Sequence, residues 1–233
     1  MKEIKKLQTS ETIELGIFLA LAGGFMDAYS YLCRGKVFAN AQTGNMLLLG
    51  IKLTEGDFNA AFKYLTPVLA FTIGIFLADA VRYSISPGAL KGKSFLHWRQ
   101  CTLLIEMLLL LTVCFIPQSL NIVANSITSM ACGMQVESFR KIHGNGIATT
   151  MCIGNLRSGT ENLFTFFREK SKAHLKKAAL YYFIIFCFVA GAVTGNICID
   201  FLHEKAMGVC ILFLAVGFGM MFREEWDFTQ HKK

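Results

Sequence analysis

The residues best suited to chemistry lie inside apolar stretches of the chain. Asp27 and the triplet Thr43-Gly44-Asn45 both fall in the segment GGFMDAYSYLCRGKVFANAQTGNMLLLG, which is otherwise mostly nonpolar. An ionised carboxylate at the centre of a membrane helix costs at least about 2.5–3.5 kcal/mol when it faces lipid. We therefore expect Asp27 either to be protonated or to face other helices, where it serves proton coupling, substrate binding or a structural hydrogen bond.

The second half of the chain repeats this pattern in the same order. Asp27 aligns with Glu137, and Gly44-Asn45 aligns with Gly154-Asn155. Glycine permits a close approach of the backbone, and asparagine can cap exposed N–H groups or bind a ligand. The order of the matches indicates an internal duplication whose two polar clusters form one central site. Both acids are equally consistent with a structural bond to the polar segment of their own repeat.

Four further polar residues complete the candidate site. Gln42 and Gln135 are expected to point inward, although packing and interhelical hydrogen bonds could also account for them. Arg157 adds a cation to the second cluster, where it could recognise an anion, pair with an acid or extend toward the membrane surface. Glu106, in CTLLIEMLLLL, is a secondary candidate with no acidic counterpart in the other half.

Other classes of site find little support in the sequence. The eight cysteines show no CxxC or zinc spacing, and most lie in apolar segments, where they act as small hydrophobic residues. The five histidines are scattered, and no motif of a nucleophilic or metal-dependent enzyme occurs. We expect no catalytic residues, no metal and no cofactor. The net charge of +7 indicates basic membrane-flanking loops rather than nucleic-acid binding.

The elements that must position these residues are membrane helices. The chain is 54% hydrophobic and only 17% charged, which is typical of an integral membrane protein with the lipid bilayer as its first partner. The basic start MKEIKKLQTS precedes an apolar run long enough to span, so the first helix is expected to remain uncleaved. Long helices are predicted at 11–33, 58–85, 100–117, 118–140, 174–202 and 206–222.

Two segments, 36–53 and 145–167, are half polar and half apolar, and they decide the topology. As re-entrant segments with half-helices that begin near residues 43 and 153, they give six transmembrane helices. As full spans they give eight. Six spans with both termini in the cytoplasm place most of the 23 lysine and arginine residues inside, so the distribution of basic residues favours six.

An odd number of spans in each half makes the predicted fold an inverted repeat. The prediction is an all-α integral membrane protein with six transmembrane helices and two re-entrant half-helices, arranged as a 3+3 inverted repeat. The alternative is an eight-helix 4+4 repeat. The single membrane domain covers 1–233, with repeat one at 11–117, repeat two at 118–222, and cytoplasmic tails at 1–10 and 223–233.

The motifs G-F-x-D-A, V-F and T-G-N followed by L-L-L-G resemble those of the YoaK-like family of bacterial multi-pass inner-membrane proteins. The resemblance covers nearly the whole chain, including G-x-Q and G-N-L-R in the second half. It implies a location in the bacterial cytoplasmic membrane. It does not imply an activity, because the family is defined by a domain of unknown function.

Three functions remain open from the sequence. The architecture favours a transporter or channel for a small solute, with a polar site at the repeat interface and a polar or anionic substrate. The alternatives are a membrane partner or sensor that transports nothing, and a lipid-modifying enzyme, for which the sequence offers no nucleophile or metal cluster. The substrate, the coupling ion, the direction of transport and the oligomeric state do not follow from the sequence.

Overall fold

A computed structural model describes residues 12–85, 97–142 and 145–230 of the protein, with residues 223–230 as backbone alone. The predicted tail 1–10 and most of the loop between residues 85 and 97 lie outside these ranges, as do the last three residues of the chain.

The described residues are helical apart from turns, two non-helical segments and an isolated bridge between Ile142 and Asn145. In chain order the helices are α1 (Ile13–Cys33), α2 (Gln42–Thr54), α3 (Phe58–Ile85), α4 (Trp98–Val113), α5 (Asn121–Ser138), α6 (Cys152–Glu169), α7 (Lys172–Leu202) and α8 (Met207–Gln230).

Most helix boundaries agree with the sequence prediction to within about four residues, but α8 continues to Gln230, beyond the predicted end at 222 and into the predicted tail 223–233. The short helices α2 and α6 begin at Gln42 and Cys152, one residue before the predicted starts. Three helical stretches are long and apolar enough to cross a membrane, namely Ile13–Cys33, Phe58–Ile85 and Lys172–Phe222, the last of which contains α7 and the part of α8 up to Phe222. The fold is therefore that of a helical membrane protein, as predicted.

The helices pack in a reciprocal pattern. Helix α1 packs against α7, whereas α5 packs against α3. Helices α2 and α6 lie on α3 and α7, respectively. Helix α4 packs against α5, α8 packs against α1, and α4 also contacts α8. The main helix contacts thus occur in corresponding pairs, although α3 also contacts α4 and no equivalent contact between α7 and α8 stands among the main contacts of the described residues.

Glycine permits a close approach of α1 to α7 and of α5 to α3. A side chain at Gly24 on α1 would collide with the backbone of Phe188 and Ala192 on α7. At the other crossing, a side chain at Gly133 on α5 would collide with the backbone of Phe71 and Ile75 on α3. Small residues let backbones approach closely, which gives membrane helices much of their packing energy. These glycines therefore fix how near the long helices lie to each other.

Buried, non-helical chain leads into both short helices. We call residues 37–41 and 147–151 the lead-in segments of α2 and α6. Val37 and Ala39 in the first segment and Ile147 in the second are fully buried. Non-helical backbone at membrane depth is tolerated only where protein covers it or water reaches it. Here protein covers most of both lead-in segments, whereas the last residue of each segment and the first turn of the helix that follows are at least partly exposed.

Candidate functional site

Asn45 and Asn155 anchor the two lead-in segments to the helices that follow them. The amide of Asn45 accepts a hydrogen bond from the Phe38 N–H at 3.0 Å and donates one to the Phe38 carbonyl at 2.8 Å. Asn155 accepts from the Ala148 N–H at 3.3 Å and donates to the Ala148 carbonyl at 2.6 Å. Each asparagine therefore closes the same loop, and neither amide is free to bind a solute in this state.

The neighbours of Asn45 stabilise this arrangement. Gln42 accepts a second hydrogen bond from the Asn45 amide at 2.9 Å, and it donates to the Ala39 carbonyl at 2.7 Å. A side chain at Gly44 would lie 2.8 Å from the ring of Phe38, so the ring needs a residue without a side chain there. In the first cluster, therefore, Gln42, Gly44 and Asn45 all hold the start of α2 in place.

The two acids that the sequence aligned have different roles. The carboxyl group of Asp27 accepts a hydrogen bond from the Asn40 N–H at 2.7 Å, just before α2. Glu137 instead forms an ion pair with Arg140, which lies three residues further along the sequence. The structural alternative, a bond to the polar segment of the same repeat, is thus realised for Asp27. For Glu137 the structure gives the Arg140 pair instead.

The glycine crossings explain this difference through a shift of one residue. At the α1–α7 crossing, Gly24 lies against the backbone of α7 in the same way as Gly133 lies against the backbone of α3 at the α5–α3 crossing. The predicted alignment had paired Gly133 with Gly23 instead. Counting on from these glycines, Asp27 corresponds to Val136 and not to Glu137. The packing of these glycines therefore favours an alignment of Asp27 with Val136 over the predicted alignment with Glu137.

An open cavity of about 960 Å³ lies between the starts of α2 and α6. Residues 38, 40–43 and 150–154 line it from the lead-in segments and the first turns of the two short helices, and α1, α3 and α7 complete its wall. Clefts of roughly 300–1,000 Å³ are the usual size for binding small molecules. The cavity is therefore large enough for a small organic solute.

The structure brings only part of the predicted site to this cavity. The predicted residues in its wall are Asp27, Gln42, Thr43 and Gly154. The predicted residues outside its wall are Gly44, Asn45, Gln135, Glu137, Asn155, Arg157 and the secondary candidate Glu106. The sequence thus located both helix starts correctly, but more than half of the predicted site residues lie outside the cavity wall.

Three of these outlying residues have distinct surroundings. Gln135 is buried and donates hydrogen bonds to the Leu19 carbonyl at 3.0 Å and the Thr149 hydroxyl at 3.3 Å. Arg157 is exposed on α6. Glu106 is fully buried in α4, and its carboxyl oxygens have no hydrogen-bond partner within the described part of the chain.

The electrostatics of the cavity come mainly from the backbone. Helices α2 and α6 both start at its wall, and neither has a side-chain cap on its first turn. Helix N-termini carry unsatisfied N–H groups and a partial positive charge. Asp27 is the one charged side chain in the described wall, beside the lead-in segment of α2. The arrangement can therefore hold an electron-rich group.

Two residues outside the predicted site also belong to the wall, Asn40, which the sequence predicts to face inward, and Thr150. The side-chain carbonyl of Asn40 and the hydroxyl of Thr150 are buried and lack hydrogen-bond partners among the residues described. They occupy equivalent places two residues before α2 and α6. The signal that could have found them is this position, because a residue just before a buried half-helix lies close to its N-terminus.

A third residue that the sequence left in a loop is fully buried. Arg34 donates to the carbonyl of Ile116 at 2.8 Å, to the carbonyl of Val113 at 3.0 Å and to the hydroxyl of Tyr29 at 2.9 Å.

Within the described chain, no group of three or more acidic, histidine or cysteine side chains is arranged to hold a metal ion.

Comparison with known proteins agrees with the membrane fold. The chain is 27% identical over 181 residues to the UPF0700 transmembrane protein YoaK of Bacillus subtilis (strain 168), covering 75% of this chain and 78% of that protein. No solved structure matches the chain. The model of the family described as "Protein of unknown function (DUF1275)" matches residues 15–220, which is most of the chain. The protein therefore belongs to this family of transmembrane proteins, as its motifs predicted.

Proposed function

We propose that this protein is a transporter or channel for a small polar or anionic solute in the bacterial cytoplasmic membrane. The observation that carries the proposal is the cavity shared by the starts of α2 and α6, which come from different halves of the chain. Broken helices that meet near the membrane midplane are the usual binding sites of secondary transporters. Asp27, Gln42, Thr43 and Gly154 line the solute site, and Asn45 and Asn155 position its two lead-in segments.

The reciprocal packing supports an inverted 3+3 repeat with halves at 11–117 and 118–222. Exchanging α1 with α5, α2 with α6, α3 with α7 and α4 with α8 converts each main helix contact into another contact of the same fold. A two-fold axis between the halves has this consequence. With three spans in each half, such an axis lies in the membrane plane and allows alternating access around a central site.

The contacts of Arg34 support six spans rather than eight. Arg34 follows α1 and binds the carbonyl of Ile116, which follows α4. The ends of α1 and α4 must therefore lie on the same side of the membrane. Eight consecutive full spans would place them on opposite sides, whereas a re-entrant α2 places them together. Both termini are then cytoplasmic, in keeping with the distribution of lysine and arginine.

Exchange of labelled solute across proteoliposomes tests the function. Purified protein is reconstituted with an internal pool of small organic anions, amino acids, inorganic anions or polyols, and uptake of the matching labelled solute is measured. Val68 lies in the cavity wall, so Val68→Trp should fill the cavity and abolish exchange. Leu69 is exposed one residue along α3, and Leu69→Trp should leave exchange intact.

The pair of tryptophan variants makes the result decisive, because both place the same bulky side chain on the same helix. Exchange that persists in monodisperse Val68→Trp protein would contradict a pathway through the cavity. Solute binding without any exchange in the wild type would point to a sensor instead of a transporter.

A further inference from the structure

The two helix starts in the cavity differ in one chemical respect. At α2, the Gln42 N–H donates to the Asn40 carbonyl at 2.8 Å, and the Gly44 N–H donates to the Ala41 carbonyl at 2.9 Å. The carboxyl group of Asp27 lies beside them, where it accepts from the Asn40 N–H. The positive end of α2 therefore already has a negative group built into the protein.

The start of α6 has no such group. The N–H groups of Cys152, Ile153 and Gly154 have no acceptor within the described ranges, and the first turn contains no acidic residue. The position that corresponds to Asp27 is Val136, whose side chain cannot accept a hydrogen bond. All three amides belong to residues of the cavity wall, so a group inside the cavity can reach this helix end.

Thr150 provides an independent sign of a missing ligand. Its side chain is only 3% exposed, it forms part of the cavity wall, and its hydroxyl has no hydrogen-bond partner among the described residues. Leaving a buried hydroxyl unpaired is unfavourable, so such a group in a cavity wall indicates a missing partner. An acceptor bound at the start of α6 would supply that partner.

The rest of the wall defines the body of the ligand. Aromatic and aliphatic side chains dominate it, among them Tyr31, Phe38, Val68, Phe71, Phe188 and Ile197. Such a surface binds apolar groups and disfavours a fully hydrated ion, whose water shell it cannot replace. The ligand therefore combines one compact anionic group with an apolar body.

We infer that the start of α6, together with Thr150, binds the carboxylate of an organic acid with an apolar body. This inference rests on the proposed function and names its substrate class. The carboxylate accepts hydrogen bonds from the N–H groups of residues 152–154 and from the Thr150 hydroxyl, while its hydrocarbon part contacts the apolar wall. At α6 the ligand supplies the negative group that Asp27 supplies beside the start of α2.

Binding by the purified wild-type protein in detergent tests the inference. The probes are hexanoate and phenylacetate, each compared with its uncharged amide and with the amine of equal length, by titration calorimetry. We expect the carboxylates to bind and the amides and amines to bind at least about tenfold more weakly, because a charged acceptor strengthens each hydrogen bond. Equal binding of carboxylate and amide, or no binding of any carboxylate, overturns the inference.

Thr150→Val locates the site, since it removes the hydroxyl and keeps the shape of the side chain. It should weaken carboxylate binding about tenfold, the loss expected for one hydrogen bond to a charged group. Thr194→Val is the matched control, because Thr194 lies outside the cavity wall and its hydroxyl already donates to the Ala190 carbonyl at 2.9 Å. Unchanged binding in folded Thr150→Val, or an equal loss in Thr194→Val, contradicts the assignment.

The charge of Asp27 gives a second test of the same assignment. Asp27 and the start of α6 line the same cavity. A carboxylate bound there is repelled by an ionised Asp27, so monodisperse Asp27→Asn should bind the carboxylates more tightly. Weaker binding would mean that Asp27 itself holds the ligand, and the inference would fail. Transport is judged separately by the Val68→Trp exchange assay, so either proposal can fail while the other survives.

Discussion

Arg34 gives the sharpest prediction at the scale of single residues. Its guanidinium group is completely buried and donates to two main-chain carbonyls, one asparagine and one tyrosine. Lysine cannot reproduce the planar set of donors. We expect Arg34→Lys to lower the free energy of unfolding by about 3 kcal/mol, since at least one or two charged hydrogen bonds are lost.

Denaturation in detergent, followed by circular dichroism, measures this change. Lys52→Gln is the control, because Lys52 forms a surface ion pair with Glu55, and solvent-screened pairs of this kind contribute little to stability. Equal stability of Arg34→Lys and wild-type protein would show that the buried network contributes little.

The two anchoring asparagines lead to a second prediction. Asn45 makes three hydrogen bonds and Asn155 makes two, and both side chains are buried. We expect Asn45→Ala to destabilise the protein by about 2–3 kcal/mol and Asn155→Ala by about 1–2 kcal/mol, because each leaves buried main-chain groups unpaired. Asn196→Ala, at an exposed position on α7, serves as the control. Full thermal stability of both anchor variants would rule out the anchoring role.

The sequence identified these asparagines but not their partners. A Gly-Asn pair inside an apolar stretch signals a break in a membrane helix, so its position could be predicted. The hydrogen bonds of Asn45 reach back seven residues to Phe38, a contact that no local pattern encodes. The burial of Arg34 was not predicted, because a basic residue in a loop is usually exposed. Arg34 is buried because the end of α4 and the start of α5 pack against the end of α1.

Close helix packing governs stability at the scale of elements. The backbone of Met130 on α5 lies against Gly74 on α3, so a methyl group there would overlap the Met130 carbonyl. We expect Gly74→Ala to lower the free energy of unfolding by about 3 kcal/mol or more, because backbone cannot move aside as a side chain can.

The matched substitution is Gly50→Ala on α2, where a methyl group would meet nothing within 4 Å. This change should be neutral or stabilising by about 0.5–1 kcal/mol, since alanine is the better helix former. Thermal unfolding of both variants in the same detergent checks the prediction, and an equal effect of the two alanines would refute it.

The elements themselves could be predicted well because their signals are local. Apolar length gave the long helices, and the polar starts of α2 and α6 gave the two short ones. The residue-by-residue alignment of the two halves could not be predicted from such local signals. Gly23 and Gly24 are both glycine, so the sequence allows either to align with Gly133, and only the backbone of α7 distinguishes them. That single residue decides whether Glu137 is the counterpart of Asp27.

At the scale of the whole molecule, the reciprocal packing and the shared cavity depend on one another. The contacts of α1 with α7 and of α5 with α3 bring the starts of α2 and α6 to the same cavity. These helix starts are far apart along the chain, and only the crossed packing of the halves makes them neighbours. Because Asp27 lies beside the start of α2 and no acid lies in the first turn of α6, the two ends of the cavity differ in charge, although the helices around it pack in a reciprocal pattern.

Single-cysteine labelling tests the membrane topology on which this arrangement depends. In a background without the native cysteines, six spans place Glu55 outside the cell, whereas eight spans place it in the cytoplasm. We expect Glu55→Cys to react with a membrane-impermeant maleimide in intact spheroplasts. Lys172→Cys should react only after lysis and Glu204→Cys should react before it, because both topologies agree on these two positions. Protection of Glu55→Cys until lysis, with both controls behaving as expected, would replace the re-entrant α2 with a full span.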